Sequence, residues 1–442
     1  MGEIFNTFFG VIAGPLFLFV GFFVMYYLSS TIGVEFGSIV SVMLALSPIW
    51  LPLTLFYITY DRWMSYIRLK FNIKNGRVTL RIHLPQEVLK SPEAMENVLT
   101  QIFNAARPDN LMETYLQGKH PPVYSFELVA TEGEVRFYIN VPRKRTKDAV
   151  ETQLYAQYPG IEVTEEVLDY TNRIVWNPEK YGMITFHMNK KEDEVFPIKT
   201  YIDFGLDKMP KEEEKVEPMA AMLEQLGRVK PGEHIWIQFL ATPHIVKNFR
   251  NGYFFGGKDT WQKKAEEAVN KILKRDVRVD ANDENYEKQS MLTMFEREKV
   301  AAVERNVGKY AYEVAIRWFY IADEDKFNGD VIGILIRTFA QYDILNRNGL
   351  GVKWRADFDY NFISDFFGKK KLRWKRAELM DYKLRRYNYR DSKRGLDKPT
   401  VMSVEELATV FHIPSSAVVT PALTRITSTR KEAPSNLPIG QT

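Results

Sequence analysis

Apolar residues follow three different rhythms along this chain, and each predicts a different kind of element. Residues 4–28 and 36–60 are two nearly continuous apolar stretches, with Glu3 and Glu35 the only charges before Asp61. Each exceeds the roughly 20 residues a helix needs to cross about 30 Å of hydrocarbon, so the pattern predicts a transmembrane helical hairpin over residues 1–60. Arg62, Arg68, Lys70, Lys74 and Arg77 follow at once, whereas the loop from Ser30 to Glu35 carries no Lys or Arg. The positive-inside rule then predicts a two-pass protein of the cell (inner) membrane with both termini cytoplasmic and the lipid bilayer as its first partner. Met1-Gly2-Glu3 offers no basic leader for a cleaved signal peptide. Pro48 and Pro52 each remove a backbone donor and predict a kink in the second helix.

Beyond residue 60, period-two alternation and helical spacing take turns. From Arg77 to Leu84, Val78, Leu80, Ile82 and Leu84 alternate with Arg77, Thr79, Arg81 and His83, the mark of a half-buried strand. Ser91-Pro92 supplies a cap and a first-turn proline for a helix carrying Met95, Val98, Leu99 and Ile102. Tyr124 to Ala130 and Val135 to Val141 read as strands joined around Glu132-Gly133 in a hairpin. A helix with Val150, Leu154 and Tyr158 then stops at Pro159-Gly160, ahead of a strand at Ile161 to Thr164. This β-α-β-β-α-β order is the ferredoxin-like split arrangement.

The same order recurs after an extended connection over residues 169–194. Ile198, Thr200, Ile202 and Phe204 predict a strand, Met219 to Leu226 a helix entered at Pro218, and Ile235, Ile237 and Phe239 the next strand. The hairpin partner follows only at Tyr312 to Ala322, then a helix at Val331 to Tyr342 and a strand near Leu350 to Trp354. The expected fold is therefore α+β: two N-terminal transmembrane helices, then two ferredoxin-like domains at residues 61–168 and 169–365. The second carries a helical insertion at 245–308, and residues 366–442 hold a basic aromatic helix, a short capped helix and a tail.

Most candidate chemistry fails on inspection. The chain has no cysteine, which excludes disulfides, thiolate metal sites and cysteine nucleophiles. Gly252, Gly257 and Lys258 have the spacing of a phosphate-binding loop, but Asp259 stands where Ser or Thr must hold magnesium. Asp280, Asn282 and Glu284 begin like a calcium loop, yet Asn285 replaces its glycine and Met291 its bidentate glutamate. His83, His120, His187, His234, His244 and His412 are scattered without the spacing of a helical zinc site. Asp357 and Asp359 share a face if extended but have no nameable acid partner. The sequence thus predicts no catalytic residue, metal or cofactor.

One signal is concentrated. Between residues 369 and 398, thirteen Lys and Arg face four Asp and Glu, with Trp374, Tyr382, Tyr387 and Tyr389 interleaved. Lys369, Lys370, Lys371, Arg373, Trp374, Lys375, Arg376, Lys383, Arg385, Arg386 and Arg390 are the candidate binding residues. Such a helix can neutralise phosphates and stack on bases of DNA, or rest on anionic lipid or an acidic protein. The sequence leaves these open.

Downstream, Ser403 and Glu406 form a capping box ahead of Leu407, Val410 and Phe411, and the helix ends at His412-Ile413-Pro414. The stretch through Asn436-Leu437-Pro438 resembles the junction before the motor domain in HerA/FtsK-like ATPases of bacterial conjugation and type IV secretion-like systems. Tyr124 to Leu128, Val135 to Ile139, Gln157 to Gly160 and Glu233 to Gln238 extend the likeness. Here the chain stops where a fused homologue continues into Walker motifs, so no ATPase residue carries over. The resemblance implies a membrane-anchored, non-catalytic coupling subunit, itself a homo-oligomer. It would recruit a separate hexameric ATPase through Phe411, His412, Pro414, Asn436, Leu437 and Pro438, with DNA as a further partner. The alternative is a membrane-tethered nucleic-acid-binding protein independent of any motor.

Overall fold

The computed structural model describes residues 36–426 apart from 89, 105, 107, 209–216, 254–259, 274–291, 357–364, 366–367, 388–395, 417 and 419–421. The first apolar stretch, the calcium-like segment from Asp280 to Met291, Gly257 and Lys258, Asp357 and Asp359, Arg390, and the tail with Asn436, Leu437 and Pro438 lie outside the described residues. The chain divides into two units, residues 1–70 and 71–442.

In the first unit the second apolar stretch is broken. Helix α1 spans Phe36–Ala45 and α2 begins at Ser47, running to Asn75. Pro48 explains the break, because a proline lacks the amide of a continuing helix and disfavours helical geometry in the residue before it. The ten described residues of α1 rise about 15 Å. The uncharged part of α2, residues 47–60, rises roughly 21 Å before Asp61, Arg62, Arg68, Lys70 and Lys74 enter the same helix. Among the described residues no helix is long and apolar enough to cross a membrane. This overturns the expected two-pass hairpin, the inner-membrane localisation and the membrane-protein reading built on them.

Among the described residues the second unit is α+β, around a mostly antiparallel sheet to which ten strands contribute. In chain order its elements are β1 (Arg77–Pro85), α3 (Glu93–Gln101), α4 (Leu111–Tyr115), β2 (Tyr124–Thr131), β3 (Glu134–Pro142), α5 (Arg143–Gln157), β4 (Glu162–Glu166) and β5 (Tyr181–Lys190). Then come α6 (Ala220–Gly227), β6 (Glu233–Pro243), α7 (Thr260–Ile272), α8 (Met294–Val307), β7 (Ala311–Asp323), α9 (Asp330–Arg337) and β8 (Leu350–Arg355). The last are α10 (Lys369–Lys383), β9 (Thr400–Ser403), α11 (Val404–Val410) and β10 (Arg425–Ile426).

The strand order is β4-β1-β3-β2 in one half and β8-β5-β7-β6 in the other, and the halves join through β2 and β6. That junction is antiparallel from Tyr124↔Ala241 to Thr131↔His234. Both strands are buried along almost their whole length, so each covers the backbone edge that the other would leave unpaired. The C-terminal region is sewn into the same unit: β9 pairs with β7, and β10 lies parallel to β1 at Leu84↔Arg425.

The strand expected at residues 198–204 does not form; β5 comes instead from the segment read as an extended connection. Asp203 accepts from the Thr200 amide (2.9 Å) and is held by Arg347 (2.8 Å), so the segment turns on itself, and the Phe204 amide bonds the Thr200 carbonyl. Local side-chain bonds have displaced the ladder.

One face of the sheet carries the main apolar core, filled by Met95, Val98 and Leu99 of α3, Val150 and Leu154 of α5, Leu223 and Leu226 of α6, Leu335 of α9 and Leu407 of α11. The insertion helices α7 and α8 form their own small core around Trp261, Val269, Val300 and Val303. The opposite face is covered by α10 and by the turn Tyr170–Arg173, over Val129, Tyr138, Met183, Trp236, Phe319 and Ile321.

Candidate functional site: a polar seam beneath the basic helix

The covered face holds a row of polar side chains directly opposite one another. Thr164, Arg81, Tyr138, Glu127, Gln238, Arg317, His187 and Trp354 are cross-strand neighbours in succession. Glu127, Gln238 and Arg317 have no exposed surface and His187 almost none. Burying charge requires partners, and the C-terminal end of α10 supplies them.

Glu127 is the hub. Arg385 donates Nε to Glu127 Oε1 (3.0 Å) and Nη2 to Oε2 (3.1 Å). Gln238 Nε2 (2.8 Å), Tyr170 OH (2.7 Å) and Ser125 Oγ (2.5 Å) donate to the same carboxylate. Arg385 reaches a second carboxylate, Asp169, at 2.5 Å. Burial pushes the Asp169 carboxyl up, but Arg385 and the Thr171 amide and hydroxyl hold it below its ordinary value. Burial also lowers the Arg385 pKa, yet Glu127, Tyr170 and Asp169 raise it well above normal.

Arg317 completes the seam by capping the helix. It donates Nε to Gln238 Oε1 (2.7 Å), Nη2 to the Asp381 carbonyl (2.8 Å) and Nη1 to the Arg386 carbonyl (3.0 Å). A cation among the last carbonyls of a helix suits its dipole. The backbone there closes a Schellman motif: the Arg386 amide bonds the Asp381 carbonyl and the Arg385 amide that of Tyr382, both at 2.9 Å. Arg385 occupies the left-handed position (φ 49°) where glycine is usual. Its side chain is needed at Glu127, so the fold keeps arginine there despite the strain. Further along, His187 Nε2 meets Glu378 Oε2 at 2.8 Å.

The candidate residues of the basic segment are therefore split. Trp374 and Arg385 are buried, Lys370, Lys371, Lys375 and Lys383 are half-buried, and Lys369, Arg373, Arg376 and Arg386 are exposed. Trp374 packs with Trp354, Ala356 and Leu396, and Tyr382 against Trp236 and Phe319. These two rings belong to the protein's interior, which corrects their reading as base-stacking platforms.

The junction segment is interior too. Phe411 has no exposed surface and packs against Phe126, Phe137 and Phe239 at centroid distances of 5.1, 6.0 and 6.1 Å. His412 is bound to Glu217 and to the Ala408 carbonyl (2.9 Å), and Pro414 is buried. Glu406, beyond its capping role, pairs with buried Lys190 at 2.8 Å. Phe411, His412 and Pro414 are core residues, and the expectation that they form a docking surface is corrected by their burial.

Glu127, Gln238, Arg317, Asp169 and Tyr170 were not among the sequence candidates, and His187 was weighed only as a zinc ligand. Their trace is a charged or amide side chain near the middle of an otherwise mostly apolar strand run, Glu127 within 124–130, Gln238 within 235–240 and Arg317 within 311–322. Among the described residues, no group of three or more His, Asp or Glu side chains could hold a metal ion. The seam's acids and bases are bonded to one another, so its geometry suits clamping a helix.

Fold and seam together define an α+β protein in which a basic helix is clamped by an ion network across the middle of one sheet. The chain belongs to the family described as Domain of unknown function (DUF8128), whose model matches residues 68–425. No curated protein matches it.

Proposed function

We propose that the protein is a non-catalytic assembly module that presents the outer face of α10 to an acidic, partly apolar segment of a partner protein. The observation that carries this is what α10 leaves outside. Leu372, Arg373, Arg376, Met380 and Leu384 are exposed at mostly four-residue steps, a cationic stripe interleaved with large apolar side chains. Nucleic acid would use the cations but give Leu372, Met380 and Leu384 nothing to pack on, and Trp374 and Tyr382 are turned inward. An acidic amphipathic segment satisfies both kinds of side chain. A separate HerA/FtsK-like motor is the partner that the sequence resemblance implies, and α10 is the surface that would receive it.

Fluorescence anisotropy with the full chain tests this, using a labelled Glu- and Leu-containing amphipathic peptide and a labelled DNA duplex. The peptide is expected to bind and to be released by Arg373→Glu with Arg376→Glu, and more weakly by Met380→Ser. Duplex binding with a steep salt dependence, in the absence of peptide binding, would reverse the reading in favour of nucleic acid.

A further inference from the structure

Where the seam reaches the β4 edge of the sheet, a cleft of about 380 Å³ opens, lined from β1, β3, β4, the first residue of α5, Asp169 and the end of α10. Arg77, Arg143, Lys383 and Arg385 line it together with Glu165, Glu166 and Asp169. Glu165 pairs with Arg143 and with Lys147 (3.1 Å). Asp169 is committed to Arg385, to the Thr79 hydroxyl (3.0 Å) and to the Thr171 amide (2.9 Å).

Two of the cations have no such match. Arg77 forms no ion pair among the described residues; it donates Nε to Asn140 Oδ1 (2.6 Å) and Nη2 to the carbonyls of Val123 (2.9 Å) and Asn140 (3.1 Å). Its Nη1 has no acceptor among the described residues. Lys383 Nζ donates to the Ile174 carbonyl (2.6 Å) and likewise meets no carboxylate within ion-pair distance. Both are half-buried. Burial and the Arg385 charge lower the Arg77 pKa to about 10, and burial lowers that of Lys383, as befits cations that the cleft compensates poorly.

We propose that this cleft binds a small phosphate monoester, its phosphoryl group held between Arg77 Nη1 and Lys383 Nζ. A phosphate dianion balances two cations where a single carboxylate balances one, and arginine and lysine are both established phosphate donors. Glu166 on the cleft wall accepts hydrogen bonds from hydroxyl groups of the same molecule. The cleft adjoins the docking face of α10 at Leu384, while its phosphoryl-holding cations, Arg77 and Lys383, lie outside that face.

The experiment is a phosphorus-detected titration of the full chain with glycerol 2-phosphate, inorganic phosphate and, by competition, acetate. Saturable binding of the ester is expected, with acetate competing at least about tenfold more weakly. Lys383→Ala and Arg77→Gln should each weaken the ester about tenfold or more, the loss of one charge-assisted hydrogen bond. Lys263→Ala, removing an exposed cation of α7, should leave it unchanged. Inorganic phosphate binding as tightly as the ester would restrict the site to the phosphoryl group and overturn the ester assignment. Absence of saturation, unaltered affinity in Lys383→Ala, or equal weakening by Lys263→Ala would overturn the site itself. If Arg77→Gln fails to fold, Lys383→Ala decides alone.

Discussion

Replacing Arg385 by Met separates the seam's two demands on one residue. The variant leaves Glu127, which has no exposed surface, without its cation, while Ser125, Tyr170 and Gln238 still donate to it. Breaking a buried pair from one side costs about 3–5 kcal/mol. The cost falls on the docking of α10, because Arg385 links that helix to β2. Amide hydrogen exchange in α10 should therefore accelerate by at least about a hundredfold, at roughly tenfold per 1.4 kcal/mol. Two companion variants bear on the same contact. Glu127→Gln combined with Arg385→Met removes the orphaned charge and should recover most of the protection. Arg385→Gly loses the same ion pair but relieves a left-handed residue that costs roughly 1–2 kcal/mol, so it should exchange more slowly than Arg385→Met. Unchanged exchange in Arg385→Met, or a double variant as labile as the sum of its singles, would show that the seam does not hold the helix.

Phe411→Ala should lower the urea midpoint of the 71–442 unit by the equivalent of about 3–5 kcal/mol at unchanged denaturant slope; unaltered stability would restore Phe411 as a surface residue. For Glu217, burial raises the carboxyl pKa, but the His412 charge and hydrogen bond and the Ser415 contacts bring it below the ordinary 4.5. A lowered folded pKa gives stability that is complete above the unfolded value and lost as pH falls through the folded one. Melting temperatures should thus drop below about pH 4.5 less steeply in Glu217→Gln than in the natural protein, and identical slopes would contradict the assignment.

Where a strand is half-buried or wholly apolar, the sequence announces it: β1, β2, β3, β6 and β7 lie where alternation and apolar runs put them. β5 escaped because Thr185 and His187, which face α10, look like solvent positions, while residues 198–204 alternate well yet form a turn. The membrane hairpin failed for a related reason. A count of uncharged residues takes no account of the helix break ahead of Pro48, nor of α2 continuing without interruption into the cations beyond residue 60.

The basic segment shows why a charge run can mislead even when its boundaries are right. Period-two reasoning assigns Glu127, Gln238, Arg317 and His187 to the solvent side of their strands, because the other side is plainly the apolar core. That holds only while nothing covers the second face. α10 is placed far along the chain from those strands, and its own cations occur all round the helix, so its sequence does not reveal which face turns inward. The strands do. A buried ionisable residue in the middle of an apolar strand, as Glu127 in β2 and Arg317 in β7 on either side of β6, is too costly to leave alone, so an oppositely equipped element has to cover both. Arg385, Asp381 and Glu378 are that equipment, and each charge spent inward is one fewer for a partner. Arg373 and Arg376, exposed among Leu372, Met380 and Leu384, are then among the cations of the run turned outward to recognise another molecule.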